Sequence, residues 1–198
     1  MSSSSRQGSE VGEAPSVSVA TSADVPALFE LINEAYEVES GDTGVAFKKT
    51  KRLLTHAELA PSVEAGRTLA ARLAGELVGC ICFEEQAPHD GGAGAGSGAP
   101  HLHFGPFAVA ARCQGRGVGS ALLAALYARA RARGIRYVDI EVVQWRTDIL
   151  PMYERLGYVA FGDGDFPAPE RLSRPSRFVL MRLDLDGAGR AAKAETKP

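Results

Sequence analysis

From His101 to Gly134 the chain reads HLHFGPFAVAARCQGRGVGSALLAALYARARARG, and this stretch constrains the fold more than any other. It predicts a strand over His101–Val109, a short polar connector over Ala110–Cys113, a glycine-rich turn and a long helix. Val118, Leu122, Leu123, Leu126 and Tyr127 recur near helical spacing, and Arg129, Arg131 and Arg133 bring positive charge to the C-terminal end. The turn Gln114-Gly115-Arg116-Gly117-Val118-Gly119 falls where the first helical turn begins. Glycines there let the backbone come close to a ligand. The first amides of a helix have no intrahelical partner and lie at the positive end of its dipole, so the turn invites a phosphate or pyrophosphate.

Details of spacing separate the ways a chain can use that physics. A P-loop needs Lys followed by Ser or Thr after its last glycine, and Gly119 is followed by Ser120 and Ala121. A dinucleotide turn of the Rossmann kind wants a third glycine where Ser120 stands, and its strand ends at the first glycine, whereas residues 110–114 separate Val109 from Gly115. The remaining pattern, Gln-x-x-Gly-x-Gly opening a helix shortly after a strand, resembles the coenzyme A loop of the GNAT N-acetyltransferases.

The rest of the chain is consistent with that resemblance. Ser16–Ala20 alternates as a short strand. Thr21 or Ser22 can cap a helix with Pro26 in its first turn and Val25, Leu28, Phe29, Ile32 and Tyr36 along one face. Gly41–Gly44 reads as a loop, and Thr55–Ala60 as a helical turn before Pro61. Arg67–Leu73 and Glu76–Glu84 are apolar strands joined at Ala74-Gly75. Beyond the long helix, Ile135–Val143 is a strand, Ile149–Leu156 a short helix ended by Gly157, Tyr158–Phe161 a brief strand, Gly162–Arg177 a loop and Phe178–Leu185 the last strand. The order β, α, α, β, β, β, α, β, α, β, β is that of the GNAT fold over roughly residues 16–185. The resemblance thus implies an α/β (α+β) domain with one mixed, mostly antiparallel sheet and helices on both faces. Residues 1–15 and 186–198 read as disordered tails, and the Gly-rich segment 86–100 as a flexible loop within the domain.

Composition narrows the class. The 198 residues suit one domain with tails, and 45% hydrophobic content supplies a core. A formal net charge of -2 gives no electrostatic case for nucleic acid or membrane. Cys80, Cys82 and Cys113 show neither a disulfide framework nor zinc spacing, so no metal is expected and the thiols read as buried small side chains in a reducing, cytoplasmic setting. No apolar run has transmembrane length, and the Ser-rich start lacks a signal segment.

A second motif, Leu150-Pro151-Met152-Tyr153-Glu154-Arg155-Leu156-Gly157-Tyr158, matches the family helix whose Tyr, placed before a Gly and a further aromatic residue, lies beside the thioester sulfur. The resemblance implies that Tyr153 protonates the leaving thiolate, a role that suits a phenol as hydrogen-bond donor. On the strand leading into the turn, Gly105-Pro106 fits a break in the ladder, because Pro removes a donor. Family members splay this strand from its neighbour. By resemblance the Phe107 amide faces the acetyl carbonyl and Val109 pairs with the pantetheine arm. The amides of Gln114, Gly115, Arg116, Gly117, Val118 and Gly119, with Ser120 nearby, hold the pyrophosphate, and the Arg116 side chain adds charge. An amine must lose a proton before it attacks. His101, His103, Glu84 and Glu141 are the candidates to take it, and His is the best default because it titrates near neutral pH. Aralkylamine N-acetyltransferases carry a similar His-x-His and a similar Leu-Pro-aromatic-Tyr helix, and only His103 matches their pair directly. Many family members have Asn where Arg146 stands, so that side-chain contact to the cofactor is not carried over.

The resemblance implies an acetyl-CoA-dependent N-acetyltransferase with a small-molecule primary amine as acceptor and no metal. Transfer to a protein lysine or N-terminus, or a non-catalytic acyl-CoA-binding module, are the alternatives. A homodimer through the last strands is a family habit. The acceptor is expected between the Tyr36–His56 segment and the Gly162–Arg177 loop, where Lys48, Lys49, Arg171, Arg174 and Arg177 offer positive charge to an anionic substrate.

Overall fold

The structure is a computed structural model of the 198-residue chain and describes residues 13–42, 52–53, 55–86, 100–167, 169 and 175–187. It contains strands β1 (Ser16–Val19), β2 (Thr68–Leu73), β3 (Glu76–Gln86), β4 (His101–Val109), β5 (Tyr137–Val143), β6 (Val159–Asp165) and β7 (Arg177–Asp184). Its helices are α1 (Val25–Asp42), α2 (Ala60–Glu64), α3 (Val118–Ala132) and α4 (Leu150–Arg155). The element order is the one the sequence predicts.

The strands form one seven-stranded sheet in the order β1-β2-β3-β4-β5-β7-β6. All neighbours are antiparallel except β4 and β5. A Cβ at Gly79 on β3 would meet Val118 and Leu122 of α3, so that side of the sheet carries α3. Val78 and Cys80, which point the opposite way along β3, are also fully buried, and α1 is the long helix against β3 and β4 there. Leu28 and Ile32 of α1, Ile81 and Leu102 of the sheet, and Leu122 and Leu126 of α3 are all inaccessible to solvent. The two helices thus hold the sheet from both faces.

Several boundaries differ from the sequence reading for identifiable reasons. Helix α1 runs through Gly41 and Asp42, which were expected to form a loop; Thr43 and Gly44 lie outside the described residues. Pro61 does not follow a helix. It sits in the first turn of α2, where a missing N–H costs nothing, after a separate 3-10 turn at His56–Glu58. Strand β3 continues to Gln86, paired with His101, so residues 85–86 belong to the ladder rather than to the glycine-rich loop. Residues 87–99 and most of the expected tails lie outside the described part. Gly162–Asp165 is strand, not loop. It pairs with β7 after an irregularity between Ala160 and Gly162, and Arg177 bridges Asp163 at 3.1 Å and Asp165 at 3.2 Å across the pair. Two glycines argue against a strand in isolation, but cross-strand ion pairing and the ladder override that. Ahead of α1, Thr21 is the N-cap of a 3-10 turn at Ser22–Asp24, as the sequence predicts, and Asp24 closes a capping box with it, its Oδ2 accepting the Thr21 amide at 2.8 Å and the Thr21 hydroxyl at 3.0 Å.

Candidate active site

The site begins where β4 parts from β5. Only His101, Leu102 and His103 pair with β5, opposite Tyr137, Val138 and Asp139. Beyond them β4 stays on β3, through Ile81↔Phe107 and Gly79↔Val109, while β5 stays on β7 as far as Val143↔Phe178. A wedge therefore opens between Phe104–Val109 and residues 140–143. The break coincides with an extra residue in β4: Phe83 pairs with Phe104 but Ile81 pairs with Phe107, leaving Gly105 and Pro106 as a bulge. The Ala110 N–H donates to Val78 O at 2.9 Å, toward β3. Hydrogen-bonding direction alternates along a strand, so the amides of Val109 and Phe107 face the other way, into the wedge.

The glycine turn lies at the end of the same strand. Gly115 has φ 74° and Gly117, the residue before α3, has φ 80°, both left-handed. A Cβ at either would meet no atom within 4 Å, so backbone conformation rather than crowding requires glycine here. The first helical bond runs from Ala121 N–H to Gly117 O at 2.9 Å, leaving the amides of Val118, Gly119 and Ser120 ahead of it at the helix mouth. No side chain caps this end. Gly119 lies against the β4 ring system: a Cβ there would approach Phe107 Cζ to 3.3 Å. Gln114, Gly115, Arg116, Gly117 and Ser120 are exposed around this mouth. A wedge lined by unpaired strand amides and ending on a bare helix N-terminus fits an extended acyl-amide arm tipped with a pyrophosphate. The residues present therefore fit coenzyme A.

Tyr153 is held on the α3 side of the sheet. It is 4% exposed, with its ring 6.3 Å from Phe104 and 5.4 Å from Tyr158. Tyr158 in turn shares a 3.0 Å hydroxyl contact with Tyr127 of α3, and burial pushes the Tyr158 hydroxyl far above the usual phenol range. Phe104 links this cluster to Phe107, whose ring lies 6.1 Å away, so Tyr153 and Phe107 border the same break in β4. Arg146, at the position where many family members have Asn, is 8% exposed and forms a two-pronged bridge to Asp148, 2.9 Å at each contact. That bridge holds the Asp148 carboxyl below its usual range.

The two histidines of β4 differ. His101 Nε2 lies 3.0 Å from Gln86 Oε1 and 3.8 Å from Asp139, a buried carboxylate that also takes both prongs of Arg182 at 2.7 and 2.6 Å. His101 is thereby committed to a structural network. His103, between Glu84 on β3 and Asp139 on β5, has a buried Nε2 with no hydrogen-bond partner among the described residues. Of the other candidate bases, Glu84 is exposed and lies 3.8 Å from Arg67, while Glu141 is exposed on β5 opposite Leu180.

Sequence reasoning missed a cavity of about 130 Å³ on the other side of the bulge. It is lined by Leu53 and by Glu58, Leu59 and Ser62 around α2, by Cys82, Phe83 and Glu84 of β3, and by Gly105 and Pro106. The Asn33 carboxamide of α1 accepts the Leu53 amide at 2.9 Å and so fixes one wall. Glu58 Oε1 accepts the Thr55 amide at 2.9 Å; this Thr-x-x-Glu capping box was the one readable signal. Burial pushes the Cys82 thiol up, which keeps it protonated and a poor nucleophile. None of the described residues of the Gly162–Arg177 segment lines this cavity. Lys48, Lys49, Arg171 and Arg174 lie outside the described residues, and Arg177 is engaged by Asp163 and Asp165. Among the described residues, no cluster of His, Cys, Asp or Glu could hold a metal, and no helix is long and apolar enough to cross a membrane.

Comparison with known proteins agrees with this geometry. A ribosomal-protein-alanine N-acetyltransferase from Brucella melitensis superposes with a TM-score of 0.63 at 22% identity, covering 85% of this chain and 98% of its own. An agmatine N-acetyltransferase mutant in its apo form gives 0.67 at 16% identity, with 87% and 100% covered. A putative acetyltransferase from Salmonella typhimurium, solved with its cofactor acetyl-CoA, gives 0.62 at 18% identity, with 88% and 95% covered. No protein with a curated description matches the chain. At these identities the solved structures speak for the fold alone. The profile described as "Acetyltransferase (GNAT) family", however, matches residues 25–158, well over half of the chain. With the splayed strand, the glycine cradle and the buried Tyr153 all inside that span, the chain belongs to the acetyltransferase (GNAT) family and is an N-acetyltransferase.

Proposed function

We propose that the protein transfers the acetyl group of acetyl-CoA to the primary amine of a small molecule, by direct attack in a ternary complex. The observation that carries this reading is the wedge: β4 leaves β5 after three pairs and runs straight into a left-handed glycine turn. Acetyl-CoA supplies an activated acyl thioester. Val109 pairs with the pantetheine arm through its backbone, and the amides of Gln114, Gly115, Arg116, Gly117, Val118, Gly119 and Ser120 hold the pyrophosphate, with the Arg116 guanidinium adding charge. The Phe107 N–H donates to the thioester carbonyl oxygen, where negative charge develops. Tyr153 gives a proton to the departing sulfur.

His103 takes the proton from the acceptor amine, directly or through water. Its Nε2, which has no hydrogen-bond partner among the described residues, supports this choice over His101, whose ring is engaged by Gln86 and Asp139. The cavity beside Pro106 supports a small acceptor, since Pro106 adjoins Phe107 in the chain and the space is about 130 Å³. The test is acetyl-CoA-dependent thiol release over small amines, amino acids and peptides, with His103→Ala beside wild type. Small amines should be turned over, and His103→Ala should lower kcat/KM by roughly a hundredfold, the low end for loss of a general base. Turnover of peptides alone would replace the small-molecule reading with a protein acceptor. Acetyl-CoA binding with no release from any acceptor would leave a regulatory acyl-CoA-binding module.

A further inference from the structure

We infer that Tyr127 of α3 is a positioning residue for the acid Tyr153, which it fixes through the hydroxyl of Tyr158. This rests on the reading of Tyr153 as the acid and deepens it. Helix α4, which carries Tyr153, has six residues, with Pro151 in its first turn and Gly157, left-handed at φ 91°, just beyond its end. So short a helix has little stability of its own and takes its position from tertiary packing. From Leu150 to Tyr158 the buried residues are Tyr153 and Tyr158, and the others are half-buried or exposed.

These two anchors are joined twice. The Gly157 N–H donates to Glu154 O at 2.9 Å and the Tyr158 N–H to Tyr153 O at 3.0 Å, the pattern that closes a helix on a left-handed glycine. Their rings meet edge to face at 5.4 Å, and Phe104 of β4 backs both, at 6.3 and 6.4 Å. A shift of the Tyr158 ring therefore carries over to Tyr153.

Tyr127 holds the far end of that ring. The two hydroxyls lie 3.0 Å apart, and whichever donates, the contact gives the buried Tyr158 oxygen a partner that is costly to lose. Burial pushes both phenols above their usual range, so both stay protonated near neutral pH and the hydrogen bond is kept. Helix α3 is a firm reference, seated by the buried Val118, Leu122 and Leu126. Tyr127 stands about 14 Å along its axis from Val118, at 1.5 Å per residue. One helix thus sets both the mouth read as the pyrophosphate site and the placement of the phenol that meets the sulfur. Proton transfer needs hydrogen-bond reach, so a small displacement of Tyr153 counts.

The experiment measures kcat and KM with whichever acceptor of the panel wild type turns over fastest, and acetyl-CoA affinity by calorimetry. Tyr127→Phe should lower kcat by about tenfold while KM and the Kd for acetyl-CoA stay near wild type, because misplacing a reacting group slows the chemistry rather than binding. Tyr158→Phe removes the same hydrogen bond from the other side and should give the same loss, which keeps the test intact if Tyr127→Phe folds poorly. In a Tyr153→Phe background, Tyr127→Phe should cost nothing further in kcat, since no proton donor is left to place. Wild-type kcat in both single variants, or a loss of acetyl-CoA affinity in place of kcat, would overturn the assignment. So would the same tenfold loss on top of Tyr153→Phe, which would make Tyr127 a residue of general packing. Full activity of Tyr153→Phe would instead break the acid reading on which the assignment rests.

Discussion

Strand β4 holds one neighbour and leaves the other. Toward β3 its pairing runs from Gln86↔His101 to Gly79↔Val109, interrupted only by the bulge; toward β5 it stops at His103. The two sides of the strand consequently make sites of different kinds. On the β5 side the free groups are backbone amides, continued by the helix mouth at Val118–Ser120, and almost any side chains could surround them. On the α2 side the free space is defined by side chains drawn from residues 53–62, 82–84 and 105–106. A site made of backbone serves a cosubstrate that does not vary. One made of side chains can be rebuilt for a different acceptor while the sheet stays intact.

Tyr153→Phe should break the comparison most strongly, because Tyr153, the proposed acid, borders the break in β4 where the two sides meet. The ring and its packing against Phe104 and Tyr158 remain, but the proton donor is gone. We expect kcat to fall by roughly a hundredfold or more, the range for losing a general acid. The Kd for acetyl-CoA and the ranking of acceptors should stay near wild type. Steady-state kinetics with a parallel binding titration reads both. Equal kcat in the variant would remove Tyr153 from the chemistry and leave it a core aromatic.

Gly117→Val sharpens the comparison by striking the backbone side alone. At φ 80° a β-branched residue is strained, and holding one there costs ~1–3 kcal/mol. The turn must relax or pay that strain on binding, so acetyl-CoA affinity should drop by about tenfold to a hundredfold. Acceptor preference should not move. A shift in the ranking of acceptors would show that the two sides are coupled through the helix mouth.

How much of this was legible follows the same division. The order of elements could be read because strands and helices announce themselves by periodicity, and the turn because Gly115 and Gly117 stand out in the sequence, although the structure accounts for them by left-handed backbone rather than by the close approach read there. Pairing of Gly162–Asp165 with β7 was hidden, since the ion pairs of Arg177 that support it join residues 12 and 14 positions apart in the sequence. The cavity was hidden for a stronger reason. Leu53, Ser62 and Phe83 have no pattern in common along the chain, and only the fold brings them together. Asn33 reads as one more polar helix residue until its carboxamide is seen holding the Leu53 amide. In sequence only the family resemblance favours His103 over His101, and the Asp139–Arg182 pair on two later strands, which engages His101, gives a physical difference between them.

The smallest expected effect concerns the frame of the side-chain half. Asp24 closes the start of α1 and binds Arg72 of β2, so it ties the helix that carries Asn33 to the sheet. Its carboxyl is held below the usual range, first by the Thr21 amide, then against the opposing cost of burial by the Thr21 hydroxyl and Arg72. A depressed folded-state pKa gives stability that is fully present above the unfolded value, about 3.9, and is lost as pH falls through the folded value. Asp24→Ala should therefore cost about 1 kcal/mol near neutral pH, as for loss of a cap. The difference from wild type should shrink as the solution is acidified below ~pH 4. Urea unfolding at neutral and acid pH measures both. The cradle contains no carboxylate from Gln114 to Ser120, so acetyl-CoA binding by the folded variant should match wild type at neutral pH. If binding weakened along with stability, the two sides of β4 would share one frame, and the separation argued from their pairing would fail.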